Sequence, residues 1–276
     1  MFITMRQIQD WICPDWPAPA NIRAYSTTRH GGNSVGPYTS MNLGDHVEDN
    51  RSAVQHNRAY LARALHLPSE PCWLFQTHSN VAIEVGINAT QHQRADAAFA
   101  TQPGVVCVAL TADCLPILIC NQQGTQVAAI HAGWRGLAGG IVDNTVAALT
   151  QQTTQQTTQQ ITQQITQQAA QGNAGQLLAW LGPAIGPSVF EVGEDVRNVF
   201  MQFDKQAAIA FVPIARHKWL ANIYWLARQR LNKLGINAVY GGGYCTVTQY
   251  QQFYSYRREG KTGRMASLIW MDPAVQ

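Results

Sequence analysis

Charged residues are scarce in this sequence: they make up 13% of 276 residues, and the formal net charge is only +3. So weak a charge predicts neither a nucleic-acid nor a membrane-surface partner, although it is compatible with a small anionic ligand. No apolar run reaches the length of a membrane span. The beginning of the chain also lacks the basic start, long apolar run and cleavage site of a signal peptide. We therefore expect a cytoplasmic protein.

Paired cysteine motifs are missing as well. The six cysteines are scattered without any C-x-x-C, in a chain long enough to bury a sizeable core without disulfides. Reduced thiols in a cytosol are the simplest interpretation. Helix and strand patterns interleave and no linker separates them, so the sequence predicts a single domain over residues 1–276, with a monomer favoured.

A low-complexity Thr/Gln repeat, TQQTTQQTTQQITQQITQQAAQ, covers residues 150–171. It directly continues GGIVDNTVAAL, whose apolar residues recur at helical spacing. On a helix, Ile161, Ile165 and Ala169 would form a thin apolar stripe. The repeat therefore predicts an insertion that extends a helix beyond the body of the protein. A partly disordered tract and a Gln-rich interaction module are the alternatives.

Short apolar runs with Gly and Pro between them predict the other elements. Strands are predicted over Trp73–Gln76, Val81–Val85, Val105–Leu110, Leu115–Cys120, Val127–Ile130, Leu177–Leu181, Ala238–Tyr240 and Ala266–Trp270. Helices are predicted over Ser52–Leu65, Gly139 to about Gln168, Gly193–Phe203 and Leu220–Leu234.

Cys114 and His131 are predicted to face each other across the hairpin formed by LPILICNQQGTQVAAIHAG, which Cys114 directly precedes. A two-residue loop of Gln122 and Gln123 would place Cys114 opposite His131, with Cβ atoms about 4.5–5.5 Å apart. A three-residue loop with Gly124 as a bulge would slip the register by one residue and turn the two side chains to opposite faces. The pairing therefore depends on the turn.

A thiol beside an imidazole supports two chemistries. One is a nucleophilic cysteine activated by a histidine base. The other is a metal site in which Cys, His and one more ligand hold zinc and leave a position open. A buried cysteine near a hydrogen-bonded histidine is the commoner situation. Asp113, next to Cys114, favours a functional site, because a carboxylate at the mouth of a hairpin is costly to bury unless it is paired or used.

Two glycine-rich segments suggest ligand contacts. In HAGWRGLAGG the backbone could approach an anion at a helix start, with Arg135 as a clamp on phosphate, and a tight turn is the alternative. TTRHGGNSVGPYTSMNLG places Arg29 and Asn42 in a loop that suits a polar pocket, although such loops also serve simply as turns.

Two other segments carry weaker signals. His78 stands alone among strand-like residues in WLFQTHSN, where a histidine is more often structural than a ligand. Late in the chain, an arginine cluster suits phosphate binding and a structural ion-pair network equally well. Its members are Arg257, Arg258 and Arg264.

Taken together, the chain resembles the multicopper polyphenol oxidoreductase (laccase-like) family, also called the peptidoglycan editing factor family. The resemblance covers nearly the whole chain and rests on TTRHGGNSVGPYTSMNLG, WLFQTHS, TADCLPIL, HAGWRGL, WLGPAIGPSVFEVG and FYSYRREGKTGRMASLIW. It implies a four-layer α/β/β/α sandwich of class α+β with mixed β-sheets, like the cysteine hydrolase fold of the cytotoxic necrotizing factor toxins. It also implies zinc-dependent purine nucleoside phosphorylase activity. The Thr/Gln repeat lies outside the family pattern.

The resemblance supplies a metal-ligand set: the His of Q-x-H, the Cys of T-A-D-C and the His of H-A-G-W. In this chain they are His78, Cys114 and His131, and Ser79 stands where the family often has Gly. A blue-copper site also uses two His and one Cys, but a multicopper laccase needs paired imidazoles as well. The chain contains no H-x-H. Zinc is therefore the expected metal, and copper loading is compatible with the same ligands.

The activities that the resemblance implies are phosphorolysis of adenosine, inosine, guanosine and S-methyl-5'-thioadenosine, and deamination of adenosine by water. The expected catalytic residues are Asp113 and Cys114, with Asp113 as general acid/base or as a group that orients a ligand. Arg135 and Arg29 are expected to hold phosphate, and Asn42 to contact the sugar or base.

Three alternatives stay open. A Cys114–His131 hydrolase that edits a peptidoglycan precursor, UDP-MurNAc-amino acid, would need no metal. A copper-dependent polyphenol oxidase, or laccase, would need copper and oxygen. A non-catalytic binding protein would turn over no nucleoside and would depend on the Gln-rich helix.

Overall fold

The protein is described by a computed structural model over residues 10–157 and 174–273. The strands in these ranges are β1 Ile22–Ser26, β2 Ala82–Glu84, β3 Ala97–Ala100, β4 Cys107–Thr111, β5 Leu115–Asn121, β6 Val127–Ala132, β7 Leu177–Leu181, β8 Glu191–Gly193, β9 Phe211–Ala215, β10 Lys218–Ala221, β11 Ala238–Gly241 and β12 Met265–Met271. The α-helices are α1 Arg51–Ala64, α2 Trp134–Gly139, α3 Ile141–Thr157, α4 Glu194–Phe203, α5 Ile223–Lys233 and α6 Tyr256–Glu259. Two 3-10 helices cover Gly36–Tyr38 and Lys205–Ala210.

Three sheets organise these strands. The largest has the order β11-β7-β5-β6-β3-β2, and it is mixed because its two outer pairs are parallel while its inner pairs are antiparallel. The second sheet, β1-β12-β4, and the small third sheet, β8-β10-β9, are antiparallel. Strand β5 lies in the middle of the largest sheet, and all of its residues are buried. Its unbroken apolar sequence follows from this position, since both faces of the strand are covered.

One apolar layer lies on each face of the largest sheet, and alternate residues of its strands point into one layer or the other. Leu118 and Cys120 of β5 point to the second sheet, where they meet Ala109 and Ile269. Ile119, between them, belongs to the opposite layer, which packs against α2, α3, α4 and α5.

The outer face of the second sheet is covered by α1. Val108 and Leu268 of this sheet pack with the fully buried Leu61 of α1. The layers are therefore α1, a three-stranded sheet, a six-stranded sheet and a second set of helices. The predicted four-layer α/β/β/α sandwich of class α+β with mixed sheets is confirmed, whereas the likeness to the cytotoxic necrotizing factor toxins stays a prediction.

Helix starts follow local chemistry. The side chain of Asn50 accepts a hydrogen bond from the backbone N–H of Ala53 and caps α1, close to the predicted start. Asn222 caps α5 through the N–H of Trp225. The prediction that this helix begins at Leu220 was wrong, because Leu220 and Ala221 pair with strand β9 before the cap.

Two other element predictions need correction. The predicted strand Trp73–Gln76 is not a strand, and its one isolated bridge joins Phe75 and Arg94. The helix predicted to begin at Gly139 begins instead at Ile141, as α3. Gly139 is the last residue of α2, which ends because Gly140 has a φ of 93°, in the left-handed region that suits glycine. Helix α3 then continues to Thr157. The rest of the predicted extension, residues 158–168, lies outside the described residues.

Strands β1, β3, β8, β9 and β10 were not predicted. Most of them are short, and β3 (AAFA) consists mainly of alanine, which has a weak strand preference. None of the helices in the described part of the chain is long and apolar enough to cross a membrane.

Candidate metal centre

Asp113 and Cys114 lie where the chain passes from one sheet to the other. Strand β4 ends at Thr111 in the three-stranded sheet, and β5 begins at Leu115 in the six-stranded sheet. Asp113 has a φ of 92°, and its carbonyl accepts a hydrogen bond from the N–H of Ile185 at 2.9 Å. The two polar residues therefore interrupt the apolar run at a corner, where a side chain can leave the core.

The hairpin register differs from the predicted one by two residues. Its loop has four residues, because the N–H of Asn121 bonds to the carbonyl of Gln126, and His131 pairs with Pro116 instead of Cys114. Side chains alternate with a period of two, so a slip of two keeps His131 on the face that carries Cys114. The predicted pairing was wrong, but the two side chains still lie on one face as diagonal neighbours.

His78 joins these two residues from a separate loop. Its Nε2 lies 3.7 Å from Sγ of Cys114, and its ring lies 4.9 Å from the ring of His131, centroid to centroid. One ligand atom from each of the three side chains lies within 4.8 Å of the others. His131 is buried, Cys114 is half-buried and His78 is exposed, so the cluster opens toward solvent on the side of His78.

A single buried carboxylate, Asp96, orders two of these ligands. Its Oδ1 accepts hydrogen bonds from Nδ1 of His131 at 2.8 Å and from the N–H of His78 at 2.9 Å. Its Oδ2 accepts from the N–H and Oγ of Ser79, both at 2.6 Å, and from the N–H of Thr77. Because Nδ1 of His131 is held by Asp96, Nε2 is left for the cluster. The same carboxylate holds the loop in which His78 has a φ of 60°.

The charges in the cluster favour a thiolate. Burial alone would raise the pKa of Cys114, but the charge of His131 and hydrogen bonds from both histidines lower it to about 6. Burial alone would lower the pKa of His131, but Cys114 and Asp96 raise it to about 9. Burial also opposes the charge of Asp96, whose hydrogen bonds with His131 and Ser79 nevertheless lower its pKa to about 2. A cysteine ligand must be deprotonated, and this surrounding favours that form.

The dimensions of the cluster fit a metal ion. Tetrahedral zinc with ligands at about 2.0–2.3 Å separates its ligand atoms by roughly 3.5 Å, close to the 3.7 Å between Cys114 and His78. Gly133 keeps this space open, since a Cβ at this position would lie 2.9 Å from Sγ of Cys114 and 2.8 Å from Cδ2 of His78. The donor set and the missing side chain together indicate that the three residues could hold a metal.

A cavity of about 530 Å³ lies beside the cluster, within the range typical of ligand sites. Asp113 and Arg135, which the sequence predicted, line it together with the three metal-ligand candidates. Arg257 and Arg264 line it as well, so arginines outnumber carboxylates in its wall.

The carboxylate of Asp113 is held from two sides. Oδ1 accepts a hydrogen bond from Oγ1 of Thr246 at 2.6 Å, and Oδ2 accepts one from the N–H of Arg257 at 2.6 Å. It therefore connects the loop before α6 and the start of α6 to the corner that carries Cys114.

The other two predicted substrate residues do not line the cavity. Nη1 of Arg29 pairs with Glu259 of α6 at 2.9 Å. Asn42 is fully buried, and its Oδ1 accepts a hydrogen bond from the N–H of Arg264. Both residues support the wall behind the cavity.

Sequence reasoning missed Asp96. It stands between Ala95 and the buried strand AAFA, and a lone carboxylate at the entrance of a fully buried run was the signal that could have found it. His46 and Tyr256 also line the cavity and were missed, although Tyr256 directly precedes the arginine cluster that the sequence did suggest.

Comparisons with known proteins find similar chains. Over 260 residues the chain is 46% identical to a protein named purine nucleoside phosphorylase YfiH from Escherichia coli K12, covering 94% of this chain and 98% of that relative. It is 47% identical over 263 residues to a purine nucleoside phosphorylase from Pseudomonas aeruginosa, covering 95% and 98%.

Solved structures are similar as well. A crystal structure of a Neisseria meningitidis protein matches with a TM-score of 0.84 and 44% identity, covering 96% of this chain and 100% of the other. YlmD from Geobacillus stearothermophilus matches with a TM-score of 0.85 and 26% identity, covering 95% and 96%. The model of the family described as multi-copper polyphenol oxidoreductase laccase matches residues 23–272. With its fold, its His-Cys-His cluster and these relatives, the chain belongs to the multi-copper polyphenol oxidoreductase, or laccase-like, family.

Proposed function

We propose that this chain is a zinc-dependent purine nucleoside phosphorylase that acts on adenosine, inosine, guanosine and S-methyl-5'-thioadenosine and also deaminates adenosine. Relatives at 46% and 47% identity carry the name purine nucleoside phosphorylase. The observation that carries the proposal is the cluster of His78, Cys114 and His131 beside a cavity lined by arginines.

Zinc is the metal we assign to the cluster. Two His and one Cys leave a fourth position for substrate, as in catalytic zinc sites. When bound, zinc supplies Lewis acidity to the reacting groups. A multicopper centre would need paired imidazoles, and the sequence has no H-x-H. Copper binding to the same three ligands is the alternative that metal analysis distinguishes.

The residues of the cavity bind and orient the substrates. Arg135, exposed at the cavity, is the predicted clamp for phosphate. We assign an indirect role in substrate binding to the other two predicted residues. Asn42 positions Arg264, and Arg29 holds helix α6 through Glu259. The assignments of Asn42 and Arg29 follow from the partners that their side chains have.

Two related reactions use this site. In phosphorolysis, a phosphate oxygen forms a bond to C1′ of the sugar, the bond from C1′ to the base breaks, and the base leaves with the electron pair and takes up a proton. In deamination, water adds to C6 of adenine and ammonia leaves. Asp113, beside Cys114, is the carboxylate we propose for moving the proton in this second reaction.

Metal analysis combined with an adenosine assay tests the proposal. The protein with zinc should contain about one metal ion per chain, as the one ligand set among the described residues implies. It should release adenine and ribose 1-phosphate from adenosine when phosphate is present, and inosine and ammonia when it is absent. Cys114→Ala should lose both the metal and the turnover. A variant that keeps its metal and unaltered turnover would falsify the zinc-site mechanism.

One observation favours a second candidate function. The ligand atoms of Cys114 and His131 lie within 4.8 Å of each other, and the charge and hydrogen bond of His131 lower the pKa of the thiol, so the predicted Cys114–His131 hydrolase acting on a peptidoglycan precursor stays an alternative. Full activity toward such a precursor after removal of zinc would favour it. Phenol oxidation that appears only after copper loading would favour the laccase alternative.

A further inference from the structure

Arg264 occupies an unusual position in the cavity wall. It directly precedes strand β12 and lines the cavity that contains Cys114 and Asp113. Nη1 donates hydrogen bonds to the carbonyls of Thr262 and Gly263, at 2.9 and 3.0 Å. These bonds fix one edge of the guanidinium group.

The rest of this guanidinium group makes no polar contact with the described residues, and its Cζ lies 6.0 Å from the centroid of the Tyr256 ring. Within residues 10–157 and 174–273, Nε and Nη2 of Arg264 make no hydrogen bond, and no carboxylate lies within ion-pair distance. Arg258, six residues earlier, differs because its Nη1 and Nη2 are engaged by carbonyls of Thr246, Val247 and Phe253 and by Glu259. Arg258 is therefore structural, whereas Arg264 has donors available to a ligand.

Partial burial of the Arg264 cation favours the binding of an anion. Arg135 and Arg257 of the same cavity are exposed, so water solvates them, but Arg264 is half-buried. Burial lowers the pKa of the Arg264 guanidinium group. The nearby charges of Cys114 and Asp113 raise this pKa, but by less than burial lowers it. A cation that is partly removed from water and lacks an ion-pair partner is stabilised when an anion binds to it.

The surrounding loop is built to place this side chain. A Cβ at Gly44 would lie 2.8 Å from Cγ of Arg264, so only glycine leaves room for the stem of the arginine. Asn42, two residues before, accepts a hydrogen bond from the N–H of Arg264 at 2.9 Å. These contacts give the glycine and the asparagine of the MNLG segment a shared role in holding Arg264.

We propose that Nε and Nη2 of Arg264 form the anchor for phosphate in this cavity, next to Cys114 and thus beside the metal position. The planar fork of arginine matches two oxygens of a phosphate group. Arg135 then serves as the second, more exposed cation. This inference rests on the proposed function for its substrate, since phosphorolysis needs phosphate bound beside the reacting sugar.

Calorimetric titration of the zinc-loaded protein with inorganic phosphate tests the inference. Arg264→Gln should weaken phosphate binding, and raise the KM for phosphate, by about 10- to 100-fold, the loss expected for two charge-assisted hydrogen bonds. The KM for the nucleoside should change by less than about twofold, since this KM does not include the phosphate contact. Arg264→Lys keeps the charge but not the planar fork. Its affinity for phosphate should lie between those of the unaltered protein and of Arg264→Gln. Arg216→Gln, on the exposed turn between β9 and β10, is the matched control with unaltered affinity.

Three further readouts keep the test decisive. Metal content and melting temperature show whether a variant is folded and loaded. Gly44→Ala displaces the stem of Arg264 without removing its charge, and it should weaken phosphate binding as well. In the unaltered protein, phosphate should protect Arg264 from modification by phenylglyoxal, which does not depend on the folding of any variant.

The outcomes separate this inference from the proposed function. Phosphate binding that survives in folded, loaded Arg264→Gln, or phosphate that gives Arg264 no protection, would overturn the inference even if nucleosides are phosphorolysed. An unaltered protein that binds phosphate through Arg264 but cleaves no nucleoside would overturn the proposed function and leave the inference standing.

Discussion

Nδ1 of His131 donates to Oδ1 of Asp96 across 2.8 Å, and the same oxygen accepts the backbone N–H of His78. One fully buried carboxylate thus orients two metal-ligand candidates that are 53 residues apart, from position 78 to position 131. Contacts of this kind set which nitrogen of a histidine faces the metal.

Asp96→Asn should therefore weaken metal binding. An asparagine presents one carbonyl oxygen and an NH2 group, so it cannot accept hydrogen bonds from both His131 and Ser79. We expect a loss of about 10- to 100-fold in zinc affinity, measured by competition with a chelator. Asp272→Asn, in an ion pair with Arg23 on the surface, is the control that should keep the affinity. Equal affinities in the two variants would show that Asp96 does not orient the ligands.

Gly133→Ala should exclude the metal by filling its space. The new Cβ would lie 2.9 Å from Sγ of Cys114, closer than side chains normally approach. We expect a folded protein that contains little zinc, measured by elemental analysis and circular dichroism. Gly139→Ala is the matched control, because a Cβ there would meet only Asn80, at an ordinary 3.9 Å. A fully loaded Gly133→Ala protein would contradict this account of the glycine.

Asp113→Asn separates two roles of its carboxylate. If Asp113 moves a proton in deamination, inosine formation should fall by about 100-fold or more, and phosphorolysis should fall much less. If it only positions the loop through Thr246 and Arg257, both rates should fall together. Thr246→Val removes one of these hydrogen bonds and leaves the carboxylate in place. The loss of rate in this variant therefore measures the contribution of loop positioning. Parallel losses in Asp113→Asn would refute the role in proton transfer.

Leu118→Ala should destabilise the contact between the two large sheets. Leu118 is fully buried in the layer that they share, and removing a buried leucine side chain costs about 2–5 kcal/mol. Chemical denaturation measures this loss. Ile209→Ala, at a position that is 72% exposed, should change the free energy of unfolding by less than about 0.5 kcal/mol. Similar values for both variants would mean that the sheets do not share this core.

The hairpin shows how much of the site could be predicted. The apolar runs on either side of NQQG identify β5 and β6, and the period of two puts Cys114 and His131 on one face even though the register was wrong. The turn depends on the side chain of Asn121, whose Oδ1 accepts hydrogen bonds from Thr125 and Gln126. A pattern of apolar residues does not specify a loop length, so the register could not be read from it.

Residues far apart in the sequence account for the rest. Arg29 and Asn42 have residue types suited to phosphate and sugar, but their partners, Glu259 and Arg264, lie more than 200 positions away at the other end of the chain. Asp96 precedes a buried strand and Gly133 follows His131 by two residues, but their roles depend on contacts with His78 and Cys114, which lie at least 18 positions away in the sequence.

By itself, the sequence determined the main strands, most helices and the family, because periodicity, caps and ordered motifs are local properties of the chain. The ligand types were implied by the family resemblance, through the His of Q-x-H, the Cys of T-A-D-C and the His of H-A-G-W, and they stay a prediction. Only the tertiary structure decided which donors meet, which arginine keeps free donors and which carboxylate orients the histidines. These depend on the packing of two sheets and on hydrogen bonds between distant segments, and burial decides their strength.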